Sequence, residues 1–285
     1  MWIWLALISA LLLGFYDIAK KKALAKNGTL TVLFAVTAIS TLFLSPCLII
    51  YSGPFQHHLM LMAKAVLVSA SWISGMVALK LLPITTVSPL KATRPFFVVL
   101  LSLIIFREKL SLLQGAGVVL ALASVALISF TGKREGTATG NRRGYIAIAI
   151  SIASGIASAL YDKHIMVSME PLFVQSWTNL YITLIVGLCL LASRLTGWGD
   201  GSARFRWDWV LPLTAVLITG ADMAYFFALG SDGALLSVIS IMRRASVIVT
   251  FVFGALIFKE KNLKGKAVAL VFLIAAMVCL MLGSQ

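Results

Sequence analysis

The sequence predicts an all-α integral membrane protein of ten transmembrane helices, arranged as two inverted five-helix repeats. Three observations carry this expectation. Hydrophobic residues make up 60% of the 285 positions and charged residues 12%, with a mean hydropathy of +1.00, so a soluble fold would have little polar surface to show to water. Ten apolar runs lie between short polar breaks, each near the roughly 20 residues that a helix needs to cross hydrocarbon. The late stretch ALIFKEKNLKG (255–265) nearly repeats the earlier LIIFREKLSLLQG (103–115). Strand alternation is absent, and in lipid only helices or closed barrels satisfy their backbone groups, so the runs read as helices.

The runs are taken in chain order. The first, 2–19, lacks a basic start and a small-residue cleavage pattern, so it reads as a retained helix rather than a secretory signal. Next come 29–51, 58–82, 85–106 and 110–130. They complete a first half, 1–132, and a basic linker, 133–143, leads to the second half, 144–285. Its runs are 144–168, 172–194, 208–230, 233–258 and 266–283. Cys47, Cys189 and Cys279 each fall inside a run and read as small hydrophobes, neither a disulfide framework nor a metal site.

The net charge of +14 sits mainly in the breaks, which points to membrane topology and away from nucleic acid. Lys20, Lys21, Lys22 and Lys26 follow the first run, Lys133, Arg134, Arg142 and Arg143 the fifth, and further basic groups the seventh and ninth. These odd-numbered breaks share one side. The charge rule places that side in the cytoplasm and both termini outside.

Placing Phe106 over Phe258 shifts the chain by 152 residues, and the match extends through ITTVSPLKATRPFFVVLLSLIIFREK over LLSVISIMRRASVIVTFVFGALIFKEK. Tyr16-Asp17 likewise echoes Tyr161-Asp162. Five helices per half would put the second copy in the membrane upside down, a transporter device with its substrate site where the halves meet.

The five-plus-five architecture, with a proline helix followed by Phe-x-Glu-Lys and a glycine-bearing helix (RPFFVVLLSLIIFREKLSLLQGAGVVL), resembles the EamA-type ten-helix members of the drug/metabolite transporter superfamily. The resemblance covers nearly the whole chain. It implies both termini in the cytoplasm, the opposite of the charge rule.

Ionisable residues inside a membrane mark functional sites by default. Lys91 lies 15 residues before Phe106 and Arg94 lies 12 before it, about 22 Å and about 18 Å along a continuous helix. Both are expected near mid-bilayer on one helix face. The repeat places Arg243 over Lys91, with Arg244 following, so four cations are expected around one central cavity. Like charges there repel, and the anions to balance them are Asp222, then Asp17 and Asp162. Two readings stay open: the cations bind a substrate phosphate or carboxylate, or they form an ion-pair network with Asp222 that locks the helices together. Asp17 and Asp162, each followed by lysines, are either interfacial pairs or proton carriers. Trp72, Tyr225, Tyr161 and Trp177 are candidates for lining the cavity.

SPLKATRPFF and SIMRRASVIVT also resemble the substrate-contacting runs of the triose-phosphate translocators. The matched lysine and paired basic residues of that family would carry phosphate binding to Lys91, Arg243 and Arg244. Arg94 stands where that family carries glutamate, Arg243 stands for a lysine, and Trp72 and Gly75 replace an expected histidine and threonine. The resemblance therefore implies an anion site rather than a particular sugar phosphate.

His57, His58 and His164 have no Cys or carboxylate at ligand spacing, so no metal or other cofactor is expected. No phosphate loop supports direct ATP drive, and no nucleophile cluster suggests an enzyme. Gly115, Gly117, Gly265 and Ala269 read as close-packing positions. The sequence thus predicts a secondary transporter, monomer or homodimer in the lipid bilayer of a cell membrane, with a bacterial inner membrane expected. It would move a small polar metabolite by alternating access, as an antiporter or by proton coupling. The rival expectation is a proton-coupled exporter of amino acids, amines or drugs.

Overall fold

The computed structural model describes residues 2–94, 97, 101, 112, 113, 115–117, 119, 120, 123, 124, 127, 141–166, 168–196, 205–231, 239, 242, 243, 245–258 and 263–283. The two charged hinges with Glu108 and Glu260, most of the run 110–130, Arg244 and most of the linker 133–143 lie outside the described residues.

The first half supplies α1 (Trp2–Leu24), α2 (Thr29–Phe43), α3 (Ser45–Ile50), α4 (Phe55–Leu81) and α5 (Ile84–Ala92). The second supplies α6 (Arg142–Ile165), α7 (Pro171–Thr196), α8 (Val210–Leu229), α9 (Ser246–Phe258) and α10 (Leu263–Gly283). Among the described residues there is no strand. Five helices among them, α1, α4, α6, α7 and α8, hold stretches long and apolar enough to span a membrane. The chain is therefore an all-α, multi-pass membrane protein.

The structure moves three sequence boundaries. Helix α1 runs through Lys20–Lys22, where Lys20 pairs with Asp17 and Lys21 Nζ donates to the carbonyls of Leu79 (2.7 Å) and Leu82 (3.1 Å), at the C-terminal end of α4. A helix end has unsatisfied carbonyls, and a cation there answers both the hydrogen-bond need and the dipole. The run 29–51 divides at Leu44 (φ −89°, ψ 0°), with Pro46 in the first turn of α3 where its missing N–H costs nothing.

The run 85–106, expected as one helix, stops at Thr93 (φ −77°, ψ −7°), whose hydroxyl turns back to the Leu90 carbonyl at 2.6 Å. Pro95, two residues on, has no N–H to give the Lys91 carbonyl, so an uninterrupted ladder is impossible. Arg94 and Phe97 are helical again, with the Phe97 N–H 3.4 Å from the Thr93 carbonyl. Ala245 is a turn in the same sense, immediately before α9, and it lies 152 residues after Thr93.

Packing follows the logic of lipid as solvent. Large apolar side chains such as Ile49, Leu188 and Leu256 face outward, while Ser9, Ser71, Ser151, Thr214 and Thr250 are buried. Lipid is as apolar as leucine, so small residues and interhelical hydrogen bonds join the helices instead. Helix α1 packs along α8, where Ser9 Oγ donates to the Ala221 carbonyl at 2.6 Å. Helix α4 packs along α6, where Ser71 and Ser151 each donate to the other's carbonyl at 2.8 and 2.7 Å. Helix α2 meets α7, and α5 meets α9. Exchanging α1 with α6, α2 with α7, α4 with α8 and α5 with α9 leaves this set of pairs unchanged.

At the basic side, Asn27 brackets the backbone of Arg206, donating to its carbonyl at 2.9 Å and accepting from its N–H at 2.8 Å. Lys26 pairs with Asp208 at 2.6 Å, and Asp208 accepts from the Val210 N–H at 3.1 Å. Those two hydrogen bonds hold the Asp208 carboxyl below the usual carboxylate range.

Two outcomes test these contacts. A Cβ at Gly14 would stand 2.6 Å from Val249 Cβ, so Gly14→Val is expected to destabilise the α1–α9 contact by about 1–3 kcal/mol, read as a lower unfolding midpoint in detergent. Because the folded pKa of Asp208 is depressed, its contribution is present above the ordinary carboxyl pKa and is lost as pH falls. Asp208→Asn should lower the midpoint at pH 7, and the gap to the parent should close below about pH 4.

Candidate functional site

Two cavities of about 140 Å³ each adjoin at the centre of the helix assembly, and both are lined by Ser71, Trp72, Arg94, Asp222 and Arg243. Lys91, Asp17 and Lys20 extend the lining of one. Lys64, Asp162 and Tyr225 extend the lining of the other, with the neutral polar side chains of Gln175, Thr178 and Asn179 on α7.

Local breaks position the cations. Lys91 stands in the last turn of α5 and Arg94 just beyond Thr93, so the interruption before Pro95 brings both to the cavities. Arg94 is fixed by neutral acceptors: its Nη2 donates to Ser71 Oγ (2.9 Å), the Ser151 carbonyl (2.7 Å) and Ser151 Oγ (3.0 Å). Two glycines make room. A Cβ at Gly155 would overlap the Arg94 guanidinium, and one at Gly75 would come within 2.6 Å of Lys91 Nζ. The glycine that replaces an expected threonine is thus space for the lysine.

Arg243 comes from the segment before α9 and makes a short charge-assisted hydrogen bond to Asp222 on α8. Its guanidinium also lies 4.4 Å from the Tyr225 ring centroid, a cation–π contact. Asp17 pairs with Lys20 at 2.5 Å, and Lys20 lies 4.2 Å from the Tyr16 ring centroid. Asp162 pairs with Lys64 at 2.5 Å.

Of the sequence candidates, Lys91, Arg94, Arg243, Asp17, Asp222 and Trp72 therefore meet around one cavity. Asp162 and Tyr225 join the adjoining one. Arg244 lies outside the described residues. Trp177 and Tyr161 pack elsewhere: Trp177 Nε1 donates to the Tyr51 carbonyl at 2.8 Å, and Tyr161 stacks on His164. His58 meets the hydroxyl of Tyr181 at 2.9 Å.

Sequence reasoning missed Lys64, Ser71, Ser151 and Gln175. Lys64 did carry a signal, being a basic residue well inside the apolar run 58–82, whereas Lys80 stands at its end. Lys20, which the sequence offers both as a topology charge and as an interfacial partner of Asp17, is buried. The serines and the glutamine carry no such mark, because small polar residues recur throughout these helices.

The electrostatic sum is positive. Among the described residues, five cations (Lys20, Lys64, Lys91, Arg94 and Arg243) and three carboxylates (Asp17, Asp162 and Asp222) line the two cavities, an excess of two positive charges.

Residues 1–130 match the EamA-like transporter family, within the drug/metabolite transporter superfamily. No curated protein sequence matches the chain. Among 27 matching chains of solved structures, one described only as "Crystal structure of protein" superposes with a TM-score of 0.68 at 14% identity, over 99% of this chain and 96% of that one. At that identity the likeness speaks for the fold alone.

The Asp222–Arg243 pair sets an expectation for stability. Asp222→Asn strips a partly buried guanidinium of its counter-charge and should cost roughly 1–3 kcal/mol. The double variant Asp222→Asn/Arg243→Gln should recover most of that loss, measured as unfolding midpoints in detergent.

Proposed function

We propose, on the premise that residues 1–130 are an EamA-like transporter segment, that the protein is a secondary active transporter of a small polar metabolite that is anionic or phosphorylated. The excess of two positive charges among the described residues around the central cavities carries this reading. A charge excess in low dielectric favours a ligand of opposite sign far more than the same charges would in water. In this reading Lys91, Arg94, Arg243 and Arg244 hold the anionic group, with Trp72 and Tyr225 against its body. Asp17, Asp162 and Asp222 set the charge balance or carry protons.

The architecture in this reading is ten spans in two inverted halves, 1–132 and 144–285, working by alternating access in a cell membrane, with a bacterial inner membrane expected. The helix pairing that survives exchange of the halves supports it, as do the matching turns at Thr93 and Ala245. Interrupted helices at a midplane site are how transporters free backbone and side-chain groups for a ligand. An amine exporter is the less favoured reading, since all three carboxylates are already held by lysine or arginine.

The test is uptake into proteoliposomes of radiolabelled inorganic phosphate, glycerol 3-phosphate and gluconate. Lys91→Gln and Arg243→Gln should each cut the uptake of whichever anion is carried by about tenfold or more, and the same anion should raise the unfolding midpoint of the parent protein while simple amines should not. Uptake that is indifferent to both substitutions overturns the reading.

A further inference from the structure

The three ion pairs that line the cavities are not equivalent. Asp17 and Lys20 lie three residues apart on α1, hydrogen-bonded, so no helix motion separates them. Asp222 and Arg243 both belong to the second half, and the guanidinium is also held over Tyr225. The pair Lys64–Asp162 alone among them joins the halves, with Lys64 on α4 and Asp162 on α6.

Its geometry also sets it apart. Lys64 Nζ and Asp162 Oδ1 stand 2.5 Å apart, and their side chains are only 3% and 10% exposed. Yet neither atom makes an aligned hydrogen bond to any described group. The ammonium has three N–H donors to place, and among the described residues the contacts beside the one carboxylate oxygen include the Phe226 ring, 4.4 Å from its centroid. A desolvated ion pair is stable when further hydrogen bonds satisfy its remaining donors and lone pairs. Arg94 places its Nη2 on three serine oxygens, and no such acceptors surround Lys64 Nζ among the described residues. A desolvated pair that lines the cavity, joins the two halves and lacks aligned hydrogen bonds fits a working charge better than a clamp.

We propose that Lys64–Asp162 is the proton site of this transporter and that one proton travels with each monoanionic substrate. The inference rests on the anion-transport reading above. On the more acidic side a proton binds the Asp162 carboxylate and converts it to the neutral acid. The Lys64 ammonium, relieved of its counter-ion, then faces the anionic group of the ligand in the cavity it lines. The loaded site carries the same total charge as the empty one, so reorientation moves no net charge through the bilayer. On the other side the anion leaves, Asp162 releases its proton, and the pair re-forms.

The charges facing Asp162 suit this exchange. Lys64 on α4, the guanidiniums of Arg94 and Arg243, and the Asp222 carboxylate on α8 line the same cavity as Asp162. Lys91 on α5 adds to the positive side in the adjoining cavity. Helix α7 contributes only the neutral Gln175, Thr178 and Asn179 at this point. His164, two residues further along α6, is exposed. An arriving anion offsets the cations and so makes protonation of Asp162 easier, which is the coupling itself.

The experiment uses the full chain in proteoliposomes, with inorganic phosphate, glycerol 3-phosphate and gluconate as probes and the outside more acidic by one pH unit. For a 1:1 symport of a monoanion the parent should accumulate its substrate about tenfold, since one pH unit corresponds to a factor of ten. Asp162→Asn should abolish accumulation, while counterflow of the same anion persists and loses its dependence on pH. Should counterflow disappear as well, Asp162→Glu decides: restored accumulation supports the assignment, and its absence overturns it. Tenfold accumulation by Asp162→Asn overturns the proton site and leaves anion transport standing. A parent that carries none of the probes overturns the anion reading and this inference with it.

Discussion

Charge held in hydrocarbon must be balanced within a few ångströms, and much of the helix arrangement around the centre of this protein follows from that constraint. Three carboxylates lie where no water-facing surface would hold them, and each has a cation in contact. The cations in turn dictate local backbone and packing: glycines at 75 and 155 where Lys91 and Arg94 need space, a helix end at Thr93 that aims both inward, and aromatic faces beneath Lys20, Lys64 and Arg243. The carboxylates do not cancel the whole, and the remaining positive charge gives the centre its selectivity in the reading advanced above.

Around that centre the helices are joined by small contacts. Lipid offers no reward for burying leucine, so the interfaces use serine and threonine hydroxyls donated to carbonyls on the neighbouring helix and glycines that let backbones approach. Ser71 with Ser151 illustrates the economy of the arrangement, because the same two residues tie α4 to α6 and orient the Arg94 guanidinium. Packing and electrostatics thus share residues, and the charged centre is held by the same helix pair that carries Lys64 and Asp162.

Much of this was legible beforehand. The apolar runs announced α1, α4, α6, α7 and α8 to within a few residues, because a span needs a fixed length of apolar chain and the breaks must be polar. Lys91, Arg94, Asp222 and Arg243 stood out for a related reason: a charge inside such a run is costly and conspicuous. Boundaries were less legible where a distant partner set them. Helix α1 continues through its lysines because α4 ends beside Lys21, a fact written nowhere near residue 21.

The sequence by itself determined the solvent, the helices and the presence of opposed charges within them, since composition and run length are local properties that hydrocarbon reads directly. Tertiary structure alone decided who meets whom. Asp162 is followed at once by Lys163, yet its partner is Lys64, 98 positions back on another helix. Lys20, three residues after Asp17 and expected as its partner at the interface, is buried with it. The physical reason is that an ion pair in low dielectric is fixed by distances of a few ångströms, and those distances are set by how helices cross rather than by their order along the chain.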